Sequence, residues 1–142
     1  MKCPACGYLL TARKAGEINV DVCDGGCGGA WFDNFELRRV DAAGAASLSH
    51  VARDPMLRVD HESRRRCPRC DDQVMRRRFF SRMRGVVVDE CPECAGLWLD
   101  AGEFEAVQKE SHALAAIQAS QAGAMSVTLA NTVTHLRERS GM

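Results

Sequence analysis

The sequence predicts a small α+β fold built from two tandem copies of one unit, a β-hairpin with a short helix, followed by a helical tail. Three observations predict it. Eight of the 142 residues are Cys, and they fall into four close pairs. The pairs and the residues after them recur in the same order in both halves of the chain. Good helix formers then dominate residues 104–122.

Internal repetition is sought first because it fixes the architecture. Cys3-Pro4-Ala5-Cys6 returns as Cys67-Pro68-Arg69-Cys70, an offset of 64. Cys27, Trp31, Asp33 and Glu36 return as Cys94, Trp98, Asp100 and Glu103, an offset of 67. Both copies end in Trp-x-Asp-x-x-Glu, so the chain contains a duplication. The expected organisation is a first unit over 1–41, a linker over 42–64, a second unit over 65–107 and a tail over 108–142.

Within each copy a tight Cys turn precedes a hairpin. Alternation in Ile18-Asn19-Val20-Asp21-Val22 predicts a half-buried strand. The solidly apolar Val86-Val87-Val88 predicts a more buried one. A second Cys turn follows, then Trp, then a helix whose start is legible. Asp33 with Glu36, and Asp100 with Glu103, fit a capping box in which Asp accepts from first-turn amides and Glu reaches back to the cap amide. General acid–base work or metal binding is the functional alternative for these carboxylates. The cap satisfies helix-end donors with no further assumption.

The cysteines point to metal. Copy two reads Cys67-x-x-Cys70, 20 residues, then Cys91-x-x-Cys94; copy one reads Cys3-x-x-Cys6, 16 residues, then Cys23-x-x-x-Cys27. Two pairs so spaced can surround one tetrahedral zinc ion with four thiolates. Gly7, Gly25, Gly26 and Gly96 fit the tight turns this needs. Tetrahedral iron suits the same ligands, and Cys3-Pro4-Ala5-Cys6-Gly7-Tyr8 resembles a rubredoxin turn. No electron-transfer partner is suggested. A redox use of Cys-x-x-Cys wants one low-pKa thiol at a helix start, whereas here the helices follow the second pairs. The four His lie outside the pairs.

Composition agrees with a zinc-stapled α+β fold. Halves this short, with two Trp, five Phe and one Tyr, bury too little apolar surface to stand alone. A structural zinc site contributes about 10–16 kcal/mol of folding-coupled binding energy. No secretory signal opens the chain, and no run nears the roughly 18 apolar residues of a membrane span. The expectation is a reducing cytoplasm with no membrane partner, where paired Cys read as ligands rather than disulfides.

Residues 42–66 read as a connector, with Ala42–Ala46 extending or fraying the first helix and Asp54-Pro55 marking a turn. In the tail Gly123 reads as a break. Met125, Leu129, Val133 and Leu136 then form an apolar stripe at helical spacing, fit either to pack on the two hairpin units or to join two chains as a homodimer.

Cys-Pro-x-Cys, a hairpin, a second Cys pair and Gly-x-Trp-[Phe/Leu]-Asp-x-x-Glu together resemble the bacterial zinc-ribbon family named for transcription factor IIB. The residues carrying the resemblance are Cys3, Cys6, Cys23, Cys27, Gly29, Trp31, Phe32, Asp33 and Glu36. In the second copy they are Cys67, Cys70, Cys91, Cys94, Gly96, Trp98, Leu99, Asp100 and Glu103. The resemblance implies two zinc ribbons and a link to transcription. It leaves the linker and the tail uncovered, and the wider turn Cys23–Cys27 departs from the second copy.

Net charge is zero but unevenly spread. Residues 1–63 balance to −2, residues 64–84 to +7 and residues 85–142 to −5. The basic island holds nine Arg, and Arg64, Arg65, Arg66, Arg76, Arg77, Arg78, Arg82 and Arg84 beside Phe79 and Phe80 are a recipe for nucleic-acid contact. Its bland counterpart is a hairpin whose arginines pair with Asp71, Asp72, Asp89 and Glu90, with a Phe in the core. The function expected is a non-enzymatic, zinc-binding, nucleic-acid- or transcription-associated module using 64–84. The alternative is a protein–protein adaptor using ribbon edges and the C-terminal helix, with a rubredoxin-like iron protein behind both. No triad, phosphate-binding Gly loop or open metal position suggests an enzyme.

Overall fold

The computed structural model describes residues 1–140, with side chains described through Gly123. It divides into two compact units, Met1–Val107 and Gln108–Met142. The first contains both copies of the repeat and the segment between them.

Six short strands form it: β1 (Thr11–Ala15), β2 (Ile18–Val22), β3 (Ala30–Phe32), β4 (Arg76–Phe79), β5 (Val87–Glu90) and β6 (Leu97–Leu99). They make one antiparallel sheet in the order β1-β2-β3-β6-β5-β4. Each repeat contributes three strands, and the repeats meet at the centre, where β3 pairs with β6. Ala30 lies opposite Leu99, Trp31 opposite Trp98 and Phe32 opposite Leu97. The two ribbons are therefore halves of one sheet.

Alternation along the strands sorts side chains between two faces. One face carries Ile18, Val20, Val22, Ala30, Phe32, Val88 and Leu99, covered by Leu37, Leu48, Phe104 and Val107. Phe32 and Phe104 stack with centroids 5.9 Å apart. The other face carries the cysteines, Trp31, Trp98 and Met75, with Leu10, Leu57 and Val59 packed against them. Ile18-Asn19-Val20-Asp21-Val22 follows the expected alternation. The valine run does not: Val86 and Val88 are buried, but Val87 is 42% exposed. Val86 and Val88 point at the core, while Val87 lies on the other face, which is open at Val87 and closed again at the buried Asp89.

The helices differ between copies. After Trp31 the chain makes only a 3-10 turn, Leu37–Arg39, and the first α-helix, α1 (Ala42–Leu48), lies in the expected linker. Asp41 caps it, accepting from the Gly44 amide at 2.8 Å, and it packs on β1 through Ser47, whose hydroxyl donates to the Lys14 carbonyl at 2.8 Å. The rest of the linker is also tied down. The Gly25 amide donates to Ala52 O at 2.9 Å and the Asp54 amide to Gly26 O at 2.8 Å.

In copy two the helix, α2, runs Glu103–Ser140. It passes through Gly123, so the expected break is absent; one Gly among helix formers costs only about 1 kcal/mol relative to Ala. The side chains of Met125, Leu129, Val133 and Leu136 lie outside the described residues. No helix among the described residues is long and apolar enough to cross a membrane.

Candidate metal centres

Each repeat presents four sulfurs from two turns. Cys3 and Cys6 come from the turn before β1, Cys23 and Cys27 from the turn between β2 and β3. Cys67 and Cys70 precede β4, and Cys91 and Cys94 join β5 to β6. In each set the four Sγ atoms lie within 4.8 Å of one another. The Cys3–Cys27 and Cys6–Cys23 separations are 3.5 and 3.4 Å, and the Cys67–Cys94 and Cys70–Cys91 separations 3.7 and 3.9 Å. Four sulfurs about 2.3 Å from a central zinc ion stand about 3.8 Å apart, whereas a disulfide is about 2.05 Å long. All eight are free thiols, and the spacing is that of a metal cage.

Backbone amides complete the cages. The amides of Ala5 and Cys6 donate to Cys3 Sγ at 3.4 Å, that of Cys27 to Cys23 Sγ at 3.3 Å and that of Cys70 to Cys67 Sγ at 3.3 Å. These donors favour thiolate. Crowding opposes it within a cage. The hydrogen bond to Cys27, with burial, pushes the Cys3 thiol far up, while the same bond pulls Cys27 down to about 6. Burial first, and the contact with Cys6, push Cys23 up to about 11. Four thiolates this close ionise together only around a cation, and a zinc ion supplies that charge.

A family model described as a transcription factor zinc-finger, of the TFIIB zinc-ribbon type, matches residues 2–42 and 66–110. The chain belongs to this family. Its two matched segments each contain one complete four-cysteine cage, so the protein is a tandem zinc ribbon holding two zinc ions. No curated protein and no solved structure matches the chain.

The capping boxes of this zinc ribbon are half as expected. Glu36 accepts from the Asp33 amide at 2.9 Å and Glu103 from the Asp100 amide at 2.8 Å. The aspartates do something else: Asp33 accepts from the Trp31 indole Nε1 at 3.1 Å and Asp100 from the Trp98 indole at 2.8 Å. A buried indole N–H needs an acceptor, and the Asp two residues on is in reach. Arg69 pairs with Asp33 at 3.2 Å, and Arg65 and His61 approach Asp100 at 3.5 and 3.6 Å. Burial, then Asp100 and Asp89, push Glu103 up to about 7. Burial likewise raises Glu36, Asp21 and Asp89.

The basic island divides into several kinds of residue. Arg65 is 3% exposed and reaches the Ser63 carbonyl at 3.2 Å. Phe80 is half-buried and packs on the core. On β4, Arg76 and Arg78 pair with Glu90 at 3.9 and 2.8 Å, and Arg77 lies 3.7 Å from Asp89 while donating to the His61 and Ser63 carbonyls at 2.8 Å. These are the neighbouring acids of β5, the pairing expected of a solvated hairpin. Arg64, Arg66, Arg82 and Arg84 are exposed, and Arg66 and Arg82 make no ion pair among the described residues. Phe79 is 48% exposed, with the Arg84 guanidinium 5.7 Å from its ring centroid.

The sequence carried one more signal, the glycine of Gly-x-Trp. A Cβ on Gly96 would stand 2.2 Å from the Trp31 ring, and one on Gly29 would stand 2.3 Å from the Trp98 ring. Each glycine is the seat of the other repeat's tryptophan. Spacing alone shows that glycine and tryptophan belong together, but not that they belong to opposite repeats.

Proposed function

We propose that this tandem zinc ribbon is a non-enzymatic binding module that takes single-stranded nucleic acid at the tip of the β4–β5 hairpin. The observation that carries this is the exposed Phe79 with the Arg84 guanidinium against its ring, with the exposed Arg82 in the same turn. A base stacking on an aromatic ring gains about 1–3 kcal/mol, and guanidinium groups that are not already paired are free for phosphate. Arg65 drops out of the contact set because it is buried, and Phe80 because it packs on the core. Arg76, Arg77 and Arg78 contribute less because Asp89 and Glu90 already neutralise them. The cages take no part in chemistry: with four protein sulfurs each, they leave no position for water or substrate.

The second reading is a protein–protein adaptor. It is favoured by the length of α2, 38 residues, most of which fall in the second compact unit.

Titration of a labelled single-stranded oligonucleotide at several salt concentrations tests the first reading. Contacts by Arg82 and Arg84 give a slope of log affinity against log salt of about −1.4. Phe79→Ala and Arg82→Ala weaken binding, and Arg76→Ala changes it little. Absent or salt-insensitive binding overturns the nucleic-acid reading and leaves the adaptor.

A further inference from the structure

We propose that the two zinc centres form one coupled unit, each held in shape by the tryptophan of the opposite repeat, so that they load and empty together.

The geometry is reciprocal. Trp31 and Trp98 are fully buried and lie in one cluster with cysteines of both cages and Met75. Trp31 sits on Gly96, whose carbonyl accepts from the Cys91 amide at 3.0 Å and so closes the Cys91–Cys94 turn. Trp98 sits on Gly29, whose carbonyl accepts from the Cys23 amide at 2.9 Å and closes the Cys23–Cys27 turn. Each tryptophan is thus a positioning residue for two sulfur ligands of the other site.

Strand pairing points the same way. β3 pairs with β2 of its own repeat at two positions, Asp21 with Trp31 and Val22 with Ala30. It pairs with β6 of the other repeat at three. The same holds for β6, which pairs with β5 at two positions. A ribbon alone would keep its hairpin but lose the larger part of the support for its third strand.

Loss of the ion at Cys67, Cys70, Cys91 and Cys94 therefore releases the turn under Trp31. It also frees β6, and with it the strand that orders Trp31 and the chain leaving Cys27. Close-packed interiors switch between arrangements rather than deform gradually. Coupling between such sites typically changes affinity about 5- to 150-fold.

The test uses the full-length, reduced apoprotein given one equivalent of zinc per chain and weighed by native mass spectrometry. Independent, equal sites leave about half the chains with one ion. Coupled sites give mainly empty and doubly loaded chains, with the one-ion form well below half. A one-ion form at or above half overturns the proposal. A second measurement locates the coupling. In zinc-loaded Trp98→Ala, alkylation of Cys3, Cys6, Cys23 and Cys27 under chelator accelerates about 10- to 100-fold. An unchanged rate at these four thiols overturns the assignment of Trp98; if this variant fails to fold, the titration of the unaltered chain decides.

Discussion

Phe35 occupies backbone that suits glycine. Its φ is +71° and its ring is 66% exposed. Asp33 to Glu36 form a turn closed by the Glu36 amide on the Asp33 carbonyl at 2.9 Å, and a positive φ at the third position of such a turn favours Gly. Copy two has Gly102 there, at φ +89°. A side chain in this conformation costs about 1–2 kcal/mol, and a ring this exposed gains little burial to offset it. Phe35→Gly should raise the stability of the zinc-loaded chain by about 1 kcal/mol in denaturant unfolding. A loss instead would mean that the ring packs on something. Single residues were partly legible beforehand. The eight ligands follow from spacing, and Glu36 and Glu103 from the capping pattern. That Asp33 and Asp100 serve an indole N–H was hidden, because the pattern of a capping box is the same whichever donor the aspartate finds.

At the scale of elements, β2 was legible because its alternation is complete over five residues. β3 and β6 were not. Ala30-Trp31-Phe32 and Leu97-Trp98-Leu99 are too short and too uniformly apolar to show a period, and the neighbour that makes them strands is the other repeat. The tight fit between β3 and β6 gives a direct test. Gly96→Ala and Gly29→Ala each place a methyl inside a tryptophan ring, and each should destabilise the chain by about 1–3 kcal/mol. The readout is the denaturant midpoint of the zinc-loaded protein. The two losses should be similar, because the sites are related by the repeat. Gly7→Ala meets open space, and its loss should come only from its positive φ. Equal midpoints for Gly96→Ala and the unaltered chain would mean that the central strand pair is looser than the structure describes.

Across the whole molecule, duplication was plain in the sequence, but the joining of the copies was not. Periodicity reports what a segment does within itself. The pairing of β3 with β6 depends on which surface each ribbon leaves open. The linker misled for the same reason. Residues 51–59 lack a pattern because they are shaped by the Cys23–Cys27 turn and the tryptophan face they cover, through Ala52, Asp54, Leu57 and Val59. The basic island shows the opposite error: nine arginines look like one surface, yet β5 brings Asp89 and Glu90 alongside Arg76, Arg77 and Arg78 of β4, and Arg65 is buried. All of these features assemble around eight sulfurs. Structural zinc contributes about 10–16 kcal/mol per site against a typical domain stability of about 5–15 kcal/mol. Metal content and thiol state of the purified, reduced full chain test this most directly. The expected result is two zinc ions per chain with all eight cysteines unbridged; protein that is folded without bound metal, or whose thiols are joined to one another, would contradict it.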